Sequence, residues 1–130
     1  MTTISSQPGT WSEPSVAVNP LDPKQAVAVF QFSAQAGYSQ DAGRTWKLAT
    51  GIAASNYKIS GDVSTVFGNK GHALICYIAY DKLGTMNYWG HGATRNGIFV
   101  RRSLDGGATW EPELRMVVGQ QSTPDVPFED

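Results

Sequence analysis

The sequence predicts an all-β protein in which one small supersecondary unit is used twice. Three observations carry this. Ser39-Gln40-Asp41-Ala42-Gly43-Arg44-Thr45-Trp46 returns as Ser103-Leu104-Asp105-Gly106-Gly107-Ala108-Thr109-Trp110, so both segments fit Ser-x-Asp-x-Gly-x-Thr-Trp. A repeat of this kind points to a reused structural unit before anything else. The chain also holds 14 Gly and 7 Pro among 130 residues, with few helix-favouring runs. Its apolar segments are short and separated by strong turn signals, as in turn-rich β-proteins.

Each fixed position of the octapeptide has a structural task in a tight hairpin. Ser and Asp side chains accept hydrogen bonds from backbone N–H groups one or two residues on and stabilise the turn. Gly43 and Gly107 supply the positive φ that a short strand-to-strand connection needs. Thr45 and Thr109 are expected to restart extended chain, which suits β-branched residues. Trp46 and Trp110 offer a large apolar surface for burial just past the turn. Asp41 and Asp105 could instead be catalytic or metal-binding, but repetition at equivalent turns suits folding better than a single active site.

The strands follow in order. Ser15 to Val18 forms a short strand, and a Pro-containing turn spans Asn19 to Lys24. Ala26 to Phe32 is nearly continuous in apolar residues and is expected to be buried on both faces. Gln35 to Ser39 is the third strand, and Thr45 to Thr50 the fourth, after the octapeptide turn. The second unit repeats the plan with Val63 to Phe67, the turn Gly68-Asn69-Lys70-Gly71, Ala73 to Tyr80, Asn96 to Ser103, and a fourth strand within Thr109 to Val118. Ser15 and Ser64 occupy equivalent places, and each unit is entered through an acidic residue, Glu13 or Asp62.

The octapeptide resembles the Asp-box, or BNR repeat, of sialidases and related β-propellers, and both segments match it at every fixed position. Glu13-Pro14-Ser15-Val16-Ala17-Val18-Asn19-Pro20 is similar to the innermost strand that opens a blade in bacterial sialidase-like propellers. The resemblance implies four-stranded antiparallel blades, the Asp-box turning between the third and fourth strands, in a propeller of the six-bladed type. It implies one blade over about 13–61, a second over about 62–124, and an approach to a third in 125–130. Two blades leave inter-blade faces and strand edges unprotected. The rest of the ring is therefore expected from further blades or from self-association. The motif is specific for the fold and weak for activity, since it also occurs in non-enzymatic propellers.

Composition sets outer limits on function. The formal charge is −1 with pI near 6.1, which offers no electrostatic case for nucleic acid or an anionic membrane. Cys76 is the single cysteine, so no intrachain disulfide is expected, and its apolar surroundings predict a buried thiol rather than a nucleophile. Met1 to Trp11 lacks the apolar centre of a signal peptide, whereas the resemblance suggests a secreted or periplasmic protein. No His, Asp, Glu or Cys cluster has metal-ligand spacing, and no cofactor is expected. Structural calcium held by backbone carbonyls stays open.

The resemblance also places a ligand face opposite the Asp-boxes, formed by Thr10 to Glu13, Gly51 to Asp62, Tyr80 to Arg95 and the tail Ser122 to Asp130. The Tyr80 to Arg95 segment is the chief difference between the units, and long loops inside compact domains commonly carry function. Tyr57, Tyr88, Trp89, His91 and Arg95 are the candidate ligand-binding residues, for aromatic faces beside hydrogen-bonding groups suit a glycan or other polar ring. Tyr88 and Trp89 could equally pack against a neighbouring blade or protomer.

Sialidases hold a sugar carboxylate with three arginines and use a Tyr–Glu pair and an Asp acid/base. The underlying chemistry is bidentate pairing to a carboxylate together with tuned carboxyl and phenol groups. Here Arg44 lies in an Asp-box on the other face, Arg101 and Arg102 point to opposite sides of one strand, and only Arg95 falls in a ligand-face loop. Asp62 and Asp81 are the candidate acids and Tyr57 or Tyr88 the candidate phenol, with no family motif selecting them. The chain by itself carries no complete sialidase set. A glycan-related propeller piece and a non-catalytic scaffold for protein interaction or self-assembly are the two functional expectations.

Overall fold

The computed structural model describes residues 13–30, 35–49, 52, 57, 59–82, 95–112 and 114–118. They form eight strands: β1 (Ser15–Val18), β2 (Ala26–Phe30), β3 (Gln35–Ser39), β4 (Lys47–Ala49), β5 (Ile59–Phe67), β6 (Ala73–Tyr80), β7 (Asn96–Ser103) and β8 (Leu114–Val118). No helix occurs among the described residues. The strands make two antiparallel meanders, β1-β2-β3-β4 and β5-β6-β7-β8. The all-β expectation and its two four-stranded units are therefore met, each unit being a sheet of its own.

Local sequence explains most boundaries. β2 is buried at every position, as its unbroken apolar run requires. Asn19 ends β1 by accepting the Leu21 N–H on its side-chain oxygen at 3.0 Å, while its backbone N–H reaches Gln25 O at 2.9 Å. The turn before β6 closes through Gly71 N to Gly68 O at 2.9 Å. β4 and β8 begin later than the threonines suggest, at Lys47 and Leu114. The reason is that Thr45 and Thr109 are held by the turn carboxylates rather than by a strand ladder.

β5 opens earlier than expected, at Ile59 rather than Val63. Gly61 and Asp62 read as turn residues, but they belong to a bulge whose register shifts between Gly61 and Ser64. Asp62 there adopts φ +47°, and Glu13, just ahead of β1, adopts φ +48°. The two acidic residues that open the units thus share an uncommon backbone conformation as well as a sequence position.

The sheets pack face to face. Val27, Val29 and Ala36 of the first meet a core with Val63, Phe67, Ala73, Ile75, Tyr77 and Phe99 of the second. Val27 and Val29 are fully buried, each contributing roughly 1.5–3 kcal/mol through removal from water. The Thr65 N–H donates to Ser15 Oγ at 3.2 Å across the interface. Cys76 departs from expectation: its thiol is half-buried, because it lies on the opposite face of β6 from Ile75 and Tyr77. Burial still pushes its pKa up.

Candidate functional site

The two Ser-x-Asp-x-Gly-x-Thr-Trp turns are built alike. Ser39 Oγ accepts from Asp41 N at 3.3 Å and Gly43 N at 2.9 Å and donates to Asp41 Oδ1 at 2.9 Å. Asp41 Oδ1 accepts the Thr45 N–H at 2.8 Å, and Thr45 Oγ1 donates to Asp41 Oδ2 at 2.6 Å. Trp46 Nε1 closes the turn on Gly43 O at 3.1 Å. Ser103, Asp105, Gly107, Thr109 and Trp110 repeat the set, with Thr109 Oγ1 to Asp105 Oδ2 again 2.6 Å and Trp110 Nε1 to Gly107 O at 3.0 Å. The carboxylates reach further along the chain than the one or two residues expected, bridging the whole turn to the threonine.

The Asp41 and Asp105 carboxylates are both committed to their turns. The Thr45 hydroxyl and then the Thr45 N–H lower the Asp41 pKa to about 2. For Asp105, partial burial raises the value, but the hydrogen bonds from Thr109 and Ser103 outweigh it and leave the group below its ordinary range. Each oxygen is engaged within its own turn, which supports the structural role over catalysis. A shallow notch lined by Tyr38, Gln40, Asp41, Thr45 and Lys47 lies at this same end.

The chemistry-bearing residues gather at the other end of the strands. Ala73 pairs with Ser103 beside the second octapeptide turn, whereas Tyr80 pairs with Asn96 at the far end of the same two strands. Just beyond that pair, Asp81 N donates to Arg95 O at 3.0 Å, so the ladder continues for one more rung. This rung sets the two side chains together: Arg95 Nε lies 3.9 Å from Asp81 Oδ2. The Arg95 guanidinium also stands over the Tyr57 ring, 5.7 Å from its centroid, within cation–π range.

Tyr57 is held from beneath. Its ring meets Phe99 edge-on at 5.1 Å, and Phe99 stacks on Tyr77 at 5.7 Å. Phe99 and Tyr77 are buried between the sheets, so the Tyr57–Arg95 pair rests on the core. The Arg95 side chain is 61% exposed and that of Asp81 15%. An ion pair this open adds little to stability. Its consequence is geometric: the Arg95 guanidinium is set beside an aromatic ring and a carboxylate at this end of the sheet.

Three sequence candidates, Tyr57, Asp81 and Arg95, are thus brought together. Asp62 is exposed in the bulge of β5. Tyr88, Trp89 and His91, the tail Ser122 to Asp130 and the segment 125–130 lie outside the described residues. Sequence reasoning did not find Phe99 and Tyr77 as the support for Tyr57; their signal was the alternation of buried positions along β6 and β7. It also passed over Asn96, buried at the first position of β7. Arg101 and Arg102 do point to opposite sides: Arg101 is buried, while Arg102 Nε donates to Glu111 Oε2 at 2.6 Å in solvent. Among the described residues, no group of three or more His, Cys, Asp or Glu side chains is placed to hold a metal ion.

No protein-family model matches the chain, and no curated protein matches it.

Proposed function

We propose that the chain is a pair of consecutive blades of a sialidase-like Asp-box β-propeller, of the six-bladed type, and that it takes part in glycan recognition. The observation that carries this is the repeated sheet: each meander places a fully hydrogen-bonded Ser-x-Asp-x-Gly-x-Thr-Trp turn between its third and fourth strands. The ligand face then lies opposite the Asp-boxes, where Arg95, Tyr57 and Asp81 converge.

These residues favour binding over turnover. A guanidinium positioned by Tyr57 and Asp81 suits an acidic sugar, whose carboxylate accepts charge-assisted hydrogen bonds while the aromatic ring packs beside the sugar. The test is titration calorimetry with sialyllactose and neutral lactose, and a fluorogenic sialoside assayed in parallel. Binding of the acidic sugar, weakened roughly tenfold or more in Arg95→Ala, is expected, since a hydrogen bond to a charged group contributes about 1.5–3 kcal/mol. Arg44→Ala, at the Asp-box end, should bind as the parent does. Equal affinity in both variants, or no glycan binding, would leave the non-catalytic scaffold as the better reading.

A further inference from the structure

The chain contains one Asn-Gly dipeptide, Asn96-Gly97, and one Asp-Gly dipeptide, Asp105-Gly106. Either can close to a cyclic imide, because a glycine has no side chain to hinder its nitrogen from attacking the preceding side-chain carbonyl carbon. The fold treats the two differently. Asn96 is 3% exposed at the first position of β7, and Gly97 pairs with Ala79 on one side and Val118 on the other. Extended chain held in two ladders keeps the Gly97 nitrogen away from the Asn96 side chain. Asp105 is exposed and lies in a turn, where the next residue, Gly106, has φ +73°. Local opening of a surface turn takes far less free energy than opening of an interior strand.

What restrains Asp105 is the hold on its own carboxylate. Oδ1 accepts the Ser103 hydroxyl at 2.8 Å and the Thr109 N–H at 2.9 Å, and Oδ2 accepts the Thr109 hydroxyl at 2.6 Å. Imide closure needs the opposite condition: a protonated carboxyl, so that water can leave, with its carbon free to turn toward the Gly106 nitrogen. Hydrogen bonds donated by Ser103 and Thr109 favour the ionised form and fix the group in place. The first turn is a built-in control. Asp41 has the same three contacts, at 2.9, 2.8 and 2.6 Å, but is followed by Ala42, whose Cβ shields the attacking nitrogen.

We propose that Asp105 is a site of spontaneous isomerisation to isoaspartate, admitted when the hydrogen bonds from Thr109 open. The Gly106 nitrogen attacks Asp105 Cγ, forms the N–Cγ bond and gives up its proton, while the Cγ–OH bond breaks and water leaves. Water then reopens the ring. Addition at Cγ restores aspartate. Addition at the main-chain carbonyl carbon of Asp105 breaks that carbon's bond to nitrogen and leaves the chain running through Cγ. Composition is unchanged, and one extra main-chain carbon stands ahead of Gly106. The consequence reaches the adjoining sheet. Added Cβ atoms at Gly106 and Gly107 would meet Gln25 Cδ at 2.9 Å and Val27 Cγ2 at 2.5 Å, so the two glycines sit closely against that sheet and a lengthened turn loses the fit. The modification does not depend on any glycan.

Peptide mapping of the folded chain stored at physiological temperature and pH tests this, with mass-spectrometric fragmentation that separates isoaspartate from aspartate. A synthetic peptide of residues 101–111 is the unguarded reference. Isoaspartate should form at 105, roughly tenfold or more slower than in the peptide, because a hydrogen bond to a charged group has at least that weight in an equilibrium. Asp41 and Asn96 should stay unmodified. Thr109→Val, which lacks the hydroxyl bond, should isomerise about tenfold faster than the parent, whereas Thr109→Ser, which keeps it, should match the parent. Ala42→Gly places an Asp-Gly pair in the first turn and should add isoaspartate at 41. Near-ultraviolet circular dichroism reports the fold, and if Thr109→Val does not fold, the peptide, the parent and Ala42→Gly decide. A parent as fast as the peptide overturns the proposal, as does a folded Thr109→Val no faster than the parent. So does the absence of isoaspartate at 105 in both parent and Thr109→Val, or at 41 in Ala42→Gly.

Discussion

Replacing Gly107 by alanine probes the packing of the two sheets through a single methyl group. Gly107 adopts φ +98°, and an added Cβ would lie 2.5 Å from Val27 Cγ2 and 3.1 Å from Tyr38 Cβ. The backbone strain costs about 1–3 kcal/mol, and forcing a methyl into filled space costs a further ~1–3 kcal/mol. Gly43 is the internal control. It also has positive φ, +79°, but its Cβ would meet only the Trp46 ring, at 3.8 Å, an ordinary contact. Gly43→Ala should therefore show the conformational cost alone, about 1–2 kcal/mol. Urea denaturation followed by tryptophan fluorescence reads both. Gly107→Ala should be the less stable by roughly 1–3 kcal/mol, a sizeable share of the ~5–15 kcal/mol total typical of a domain. Val27→Ala carries its own cost, but in a double-mutant cycle the Gly107→Ala loss should be smaller in the Val27→Ala background, since that background lacks the clashing methyl and the sites are in direct contact. Equal losses in the two glycine variants would refute the inter-sheet contact.

Other measurements address the turns themselves. Ala42 holds φ +62° in the first octapeptide turn, where the second has Gly106, so Ala42→Gly should stabilise the protein by about 1 kcal/mol in the same denaturation assay; a loss would mean the turn does not require that conformation. Asp41 has its folded-state pKa lowered from 3.8 to about 2, so its contribution is fully present above the unfolded value and lost as pH falls through the folded one. Urea midpoints of the parent and Asp41→Asn should therefore differ at higher pH and converge as pH drops between those two values. A gap that stays constant across the window would show that the carboxylate charge does not matter to the turn.

The repeated Ser-x-Asp-x-Gly-x-Thr-Trp turn was legible in its position and in most of its residue roles because its forces are local, although the reach of its carboxylates to the threonine was not. Ser39, Asp41, Gly43, Thr45 and Trp46 hydrogen-bond within their own turn, so spacing predicted a tight turn there. The apolar run of β2 was readable, whereas the alternation along β6 was not, since Ala73 to Ile78 is apolar throughout and only the pleat against the adjoining sheet sets Cys76 apart from Ile75 and Tyr77. The start of β5 was not: Gly61 and Asp62 have turn-like composition, and only pairing with β6 shows them to be a bulge. The candidate site was legible in part. Loop position marked Tyr57, Asp81 and Arg95 separately, but nothing in their spacing brings Tyr57 beneath the guanidinium just ahead of β7.

By itself, then, the sequence determined the strand order and the two turns, because each depends on residues near one another along the chain. The tertiary structure alone decided which face of each sheet is covered. That choice depends on residues such as Ser15 and Thr65, 50 positions apart, meeting across the interface. Val27 and Leu74 are equivalent in sequence pattern, yet one is buried against the adjoining sheet and the other is left half-covered. The difference lies in which face of each sheet has a neighbour, and an apolar residue does not encode whether anything has been packed against it.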